Sequence, residues 1–251
     1  MTPAPRGIGP SMPRGATMRM RLYCGTSGFS FKEWKGSFYP EKLKADEMLS
    51  YYASRLSAVE INNTFYRLPD RALLERWRAQ VPGEFRFAVK TSRRITHIKR
   101  LKDCADEAAR FFGAVDALGD RLGCVLVQLP PQFRIDVERL ERFLELVPER
   151  APAAFEFRHP SWRDPAVLDV LASRGAAWVT VDDEDEAPPE LPRTGRFTYL
   201  RLRAPGYSPA SLARWLDACA GFERAFVFFK HEDEATGPKL AEQMQGLGAR
   251  R

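Results

Sequence analysis

The chain has 251 residues, 44% of them apolar and 29% charged, which are proportions of an ordinary globular protein and not of a disordered or collagen-like one. No apolar run is long enough to span a bilayer, and the arginine-bearing start lacks the apolar stretch of a secretory signal, so a cytoplasmic protein without a membrane partner is expected. The net charge of +6 sits at the ends: without Arg6, Arg14, Arg19, Arg21, Arg250 and Arg251, the 39 basic residues fall to the number of acidic ones, 33, so the body has no global basic footprint for nucleic acid.

Residues 1–20 hold four prolines and three glycines with little apolar pattern and read as a flexible tail. Short apolar runs then alternate with helical patterns. Strands are predicted at 22–25, 58–62, 85–90, 123–129, 153–158, 176–182, 197–203 and 225–230. Helices are predicted at 45–55, 70–80, 103–118, 137–146, 165–173, 209–220 and 235–247, three of them announced by Pro69-Asp70, Asp164-Pro165 and Ser208-Pro209. The acidic, proline-containing stretch 183–196 reads as a loop. Eight strand–helix alternations point to an α/β chain folded as one (β/α)8 TIM-type barrel. A doubly wound open sheet is the alternative, but Gly25-Thr26-Ser27-Gly28 runs into aromatic loop sequence instead of a helix. Cys24, Cys104, Cys124 and Cys219 form no C-x-x-C pair and are expected as buried free thiols.

The strand ends carry the chemistry. Side chains alternate between the two faces of a strand, so apolar residues that bracket a polar one fix its phase. Val59-Glu60-Ile61-Asn62 and Phe155-Glu156-Phe157-Arg158 place Glu60, Asn62, Glu156 and Arg158 inward. The same reasoning turns Lys90, Gln128, Asp182, Arg201 and Lys230 inward. Active sites of barrels lie at the C-terminal ends of the strands, and buried charges need partners or a ligand. Three acids (Glu60, Glu156, Asp182) against four bases (Lys90, Arg158, Arg201, Lys230) leave one positive charge, which suits a small polar or anionic ligand.

The same segments resemble a known family. Gly25-Thr26-Ser27-Gly28-Phe29, Val59-Glu60-Ile61-Asn62-Asn63-Thr64-Phe65-Tyr66-Arg67-Leu68-Pro69 and Phe85-Arg86-Phe87-Ala88-Val89-Lys90 are similar to the YecE-like family, domain of unknown function 72. So are Ile95-Thr96-His97, Gln128-Leu129-Pro130-Pro131 and Phe155-Glu156-Phe157-Arg158-His159-Pro160-Ser161-Trp162. The resemblance runs from about Leu22 to Gln245 and implies a TIM-barrel domain over 21–251; it names no reaction.

Several chemistries remain open on these residues. Glu60, Glu156 and Asp182 are candidates for acid–base work, Lys90 and Lys230 for the same or for Schiff-base catalysis. Asn62, Tyr66, His97, Gln128, Arg158 and Arg201 are the candidate substrate contacts. Glu60 and Glu156 also have the form of paired glycosidase carboxylates, with Trp34, Tyr39, Tyr66 and Trp162 in loops that would stack on sugar faces. His97, His159 and His231 would join those carboxylates in a divalent-metal hydrolase or isomerase, although no short-range ligand spacing occurs and no cofactor is assigned. The glycine-rich turn Gly25-Thr26-Ser27-Gly28 reads first as a tight turn and second as an anion cradle. Finally, the basic segment 93–102 would track a phosphate backbone in a nucleic-acid-associated binding protein, or be a solvated loop answered by the acids of 182–186.

Overall fold

Each of the eight strands in the computed structural model hydrogen-bonds only to parallel neighbours, and helices cover the outside. Residues 20–182, 188–204, 206–230 and 235–250 are described. The strands are β1 (Arg21–Thr26), β2 (Ala58–Ile61), β3 (Arg86–Lys90), β4 (Leu122–Gln128), β5 (Ala153–Glu156), β6 (Ala177–Val181), β7 (Phe197–Leu202) and β8 (Arg224–Phe229). The α-helices are α1 (Met48–Arg55), α2 (Arg71–Ala79), α3 (Ala105–Val115), α4 (Val137–Glu145), α5 (Pro165–Ser173), α6 (Pro209–Ala218) and α7 (Thr236–Ala249). Predicted and observed elements agree in order and type, and their ends differ by a few residues. The predicted helix over 103–118 ends as α3 and continues as a tighter turn, Asp116–Arg121, because Gly119 adopts a φ of 53° that breaks the helical run. Apart from Met20 the tail lies outside the described residues, as do the acids at 183–186. Among the described residues no helix is long and apolar enough to cross a membrane.

The helix starts follow from local chemistry. Asp70 and Asp136 accept hydrogen bonds from the backbone N–H of Leu73 and Arg139, three residues on, and Asp164 from that of Ala166. Ser208 does the same for Ser211, and Pro165 and Pro209 occupy first helical positions, where a missing N–H costs nothing.

Strand alternation divides the apolar core into two compartments. Val59, Ile61, Val125, Val127, Phe155, Leu200, Leu202 and Val227 pack outward under the helices. Ala58, Ala88, Ala154 and Ala177 face inward opposite Tyr23, Phe197, Tyr199, Phe226 and Phe228. Small residues on one side of the barrel thus accommodate rings from the other, with Tyr23 stacked on Phe226 at 4.9 Å. This packed floor closes the lower interior, with Arg86 and Arg224 against its rings from the lower strand ends, and the polar side chains of the mouth begin above it.

The circle is completed differently between β1 and β2. β1 pairs with β8 and β2 with β3, but no backbone ladder joins β1 to β2. Side chains bridge the seam instead. Cys24 N–H donates to Ser57 Oγ at 2.9 Å, Thr26 N–H donates to the Tyr52 hydroxyl at 2.8 Å, and that hydroxyl donates to the Ala58 carbonyl at 3.0 Å. From α7, Gln245 accepts from the N–H of Ser57 and donates to the carbonyl of Arg55. The two strands approach so closely at Gly25 that a Cβ there would lie 1.8 Å from the Ala58 carbonyl oxygen.

Candidate functional site

Above the floor, the inward positions of five strands converge on one guanidinium. Arg201 of β7 donates through one terminal nitrogen to Glu156 Oε2 at 2.6 Å and through the other to Glu60 Oε1 at 2.8 Å. Both carboxylates accept from further donors. Glu60 accepts from Tyr199 Oη at 2.6 Å and from Ser27 Oγ and Asn62 Nδ2 at 2.8 Å each. Glu156 accepts from Gln128 Nε2 at 2.8 Å and Arg158 Nε at 3.0 Å. Arg203, two residues beyond Arg201 on the same face, brings a guanidinium nitrogen to 4.0 Å from Glu156.

Lys90 stands apart within this group. Its ammonium lies 4.4 Å from the centroid of the Phe65 ring, and among the described residues no carboxylate comes within ion-pair distance of it. The same ring is met by His97, whose imidazole packs against Phe65 edge-on at 4.8 Å and shares a 2.9 Å hydrogen bond with Thr96 Oγ1.

The charges settle accordingly. Burial pushes the Glu60 and Glu156 carboxyls up, but Arg201 and the hydrogen bonds around them outweigh it, leaving Glu60 below the usual range and Glu156 at about 2. Both are therefore carboxylates at neutral pH and poorly suited as proton donors. Burial and the charge of Arg201 bring Lys90 down to about 8 against the weaker pull of Glu60 and Glu156. Burial, then Lys90 and Arg158, lower His97 as well. Two carboxylates thus face four basic side chains, Lys90, Arg158, Arg201 and Arg203. Within the site, Asn62 Oδ1, Arg201 Nε and Arg203 Nε are buried and have no hydrogen-bond partner among the described residues.

The structure brings Glu60, Asn62, Lys90, His97, Gln128, Glu156, Arg158 and Arg201 together as expected, and departs from the sequence reading elsewhere. Asp182 does not face inward. Ala177, Val179 and Val181 take the inner face of β6, so Asp182 points the other way and accepts hydrogen bonds from the N–H groups of Arg203 and Ala204 and from the Tyr207 hydroxyl. It positions the loop that carries Arg203. Lys230 follows β8 in the inward phase but is exposed, and no hydrogen bond or ion pair ties it to either carboxylate. Tyr66 is 74% exposed and packs against Phe65 at the rim. Trp34, Tyr39 and Trp162 are core residues, which leaves Tyr66 as the exposed ring of the four expected to stack on a sugar; Trp162 donates its indole N–H to the Phe133 carbonyl. The carboxylate clamp is Arg201 with Arg158, and Lys90 takes no part in it.

The glycine-rich turn is a tight turn in which Thr26 Oγ1 donates to the Gly28 carbonyl, while Ser27 serves Glu60. His159 is engaged with Ser161, and His231 lies outside the described residues; among the described residues no three His, Cys, Asp or Glu side chains group to hold a metal. The basic segment 93–102 is answered from α3: Arg94 and Lys99 both pair with Glu107. Arg203, Tyr199 and Ser27 are the site residues that sequence reasoning missed. The signal for the first two was the spacing Tyr199, Arg201, Arg203, which places all three on one strand face.

Beside the mouth, a cavity of about 530 Å³ runs under the loop after β1, lined by Phe29, Phe31, Leu73 and Trp77 and bordered by Ser27 and Asn62. The two bordering residues both donate to Glu60, so the cavity adjoins the charged cluster.

Residues 23–250 match the family described as protein of unknown function DUF72. The chain belongs to the DUF72 family. It is 34% identical over 128 residues to the UPF0759 protein YecE of Escherichia coli K12, covering 51% of this chain and 47% of the relative. With the UPF0759 protein YunF of Bacillus subtilis it shares 27% over 176 residues, 66% of this chain and 61% of the relative. The chain therefore spans about half the length of YecE and somewhat more of YunF in these alignments. Among solved structures, a DUF72 family protein of Thermotoga maritima is 29% identical with a TM-score of 0.75, covering 90% of this chain and 98% of that one.

The charge cluster of this DUF72 barrel makes an acid-stability prediction. Carboxyls held low in the fold contribute stability that is complete above their unfolded pKa of about 4.3 and lost as pH falls through the folded value. For Glu156 the window runs from there down to about 2. The melting temperature is expected to fall across this window in circular dichroism scans, and to fall less steeply in Glu156→Gln from a lower starting point. An unchanged slope in the variant would remove Glu156 from the acid response.

Proposed function

We propose that the barrel mouth binds a small anion, carboxylate or phosphate, and that the protein is an enzyme acting on the molecule that carries it. The observation that supports this reading is the cation excess among the described residues: Arg201 is consumed by two carboxylates, while there Arg203 has no hydrogen-bonded carboxylate and Lys90 no ion pair. Arg158 and Arg203 offer planar donors suited to an oxyanion, and the partly enclosed mouth strengthens such contacts. Glu60 and Glu156 orient Arg201. Lys90 and His97 are the mouth groups whose shifted titrations bring neutral forms within reach near neutral pH, so proton transfer is assigned to them.

A charge-assisted hydrogen bond contributes about 1.5–3 kcal/mol, so two or three give micromolar to millimolar affinity after association costs. Calorimetric titration with phosphate, sulfate and small carboxylates is expected to show saturable binding. Arg203→Ala and Arg158→Ala should weaken it about tenfold or more each while the proteins stay folded, since both side chains are partly exposed. The absence of saturable heat from every anion at millimolar concentration would reduce the cluster to a structural network.

A further inference from the structure

We propose that Lys90 is a covalent catalytic residue whose amine condenses with the carbonyl of a small oxo acid held by its carboxylate on Arg158 and Arg203. This inference rests on the anion-binding reading and adds to it the substrate class and the attacking atom.

Three observations support it. First, the side chain stands at the C-terminal end of β3 on the inner face, in the same mouth as the arginines that would take the carboxylate. Second, among the described residues no carboxylate forms an ion pair with its ammonium. The two carboxylates of the mouth are engaged by Arg201, Arg158 and neutral donors, and a near neighbour of the Lys90 nitrogen is the Phe65 ring face. A lysine kept only as a structural cation would be expected to share in that ion-pair network. Third, His97 packs against the same ring and feels the charge of Lys90, so a base and the amine meet at one aromatic side chain. The groups that face Lys90 are Arg201 and Arg158, which favour the free amine, and Glu60 and Glu156, which oppose it; with burial the balance falls at about 8, where a substantial fraction is unprotonated near neutral pH.

The step balances without an outside oxidant. The lone pair of Lys90 Nζ forms a bond to the carbonyl carbon as the carbonyl π pair moves to oxygen. The amine proton passes to that oxygen through His97, giving a carbinolamine. With one further proton the hydroxyl leaves as water and the nitrogen lone pair forms the iminium. An oxo acid answers the site better than a neutral ketone because its carboxylate meets the unspent guanidinium groups.

The test uses the intact chain with pyruvate as the probe and cyanoborohydride to reduce any iminium, near pH 8. The expected product is one covalent adduct, heavier by pyruvate less one oxygen, mapped by peptide mass spectrometry to Lys90. Phosphate should protect against it, and acetone should label at least about tenfold more slowly. Lys90→Arg should lose the adduct and still bind phosphate in the calorimeter. Saturable phosphate binding with no adduct, or with labelling spread over surface lysines, would overturn the role of Lys90 and leave the anion site standing. Equal labelling by acetone would overturn the oxo-acid class. Absence of both adduct and phosphate binding would overturn this inference together with the reading it rests on.

Discussion

Replacing Arg201 with Met will destabilise the protein by about 3–5 kcal/mol, the usual range when one partner of a buried charge cluster is removed. The side chain is 4% exposed and it bridges Glu60 and Glu156, themselves 0% and 2% exposed. Without it two carboxylates are left in the interior with hydroxyl and amide donors as their main partners, and Arg158 reaches only one of them. Urea denaturation of the variant measures the loss. Adding Glu60→Gln and Glu156→Gln to Arg201→Met should recover part of it by removing both stranded charges. A loss below about 1 kcal/mol would mean that the cluster is far better hydrated than its burial indicates.

Gly25→Ala is expected to be at least as damaging as a severe overpacking change, about 3 kcal/mol or more. The added methyl would meet the Ala58 carbonyl oxygen at 1.8 Å and the Tyr52 hydroxyl at 2.8 Å. The first of these atoms is backbone and cannot swing aside, so β1 and β2 must separate. That separation would also break the Tyr52 and Ser57 bridges, because both depend on the present spacing. Hydrogen exchange of the Cys24 and Thr26 amides should accelerate well beyond that of β4 amides. If it does not, the seam is more compliant than its geometry states.

The barrel was legible from the chain because its elements are short, regularly alternating and well punctuated; Asp164-Pro165 and Ser208-Pro209 mark their helices to the residue. The site was legible wherever outward apolar residues bracket an inward polar one, as at Glu60 and Glu156. The method failed at β6, where Trp178, Val179 and Val181 are all apolar and the sequence carries no phase. There the inner face went to valine and Asp182 was turned outward. Lys230 shows a second limit: phase places a side chain on a face but does not say how far above the packed floor it stands. Arg201 as the hub of both carboxylates was hidden for a third reason. Its partners lie 141 and 45 residues away in sequence, and only closure of the barrel brings them together. The buried Trp34, Tyr39 and Trp162 were misread because loop position was taken for exposure, whereas these loops fold back and bury their rings.

The seam between β1 and β2 also bears on how the chain is made. Among the described residues β1 is made before the other strands, and its ladder partner, β8, after them. Every other strand finds at least one ladder neighbour among those adjacent to it in sequence, whereas β1 has none until Phe229 has been synthesised. At about 5–20 residues per second that interval is on the order of 10–40 s, during which β1 presents an unpaired strand edge. The nascent chain therefore carries an open strand edge until its late-made mate arrives.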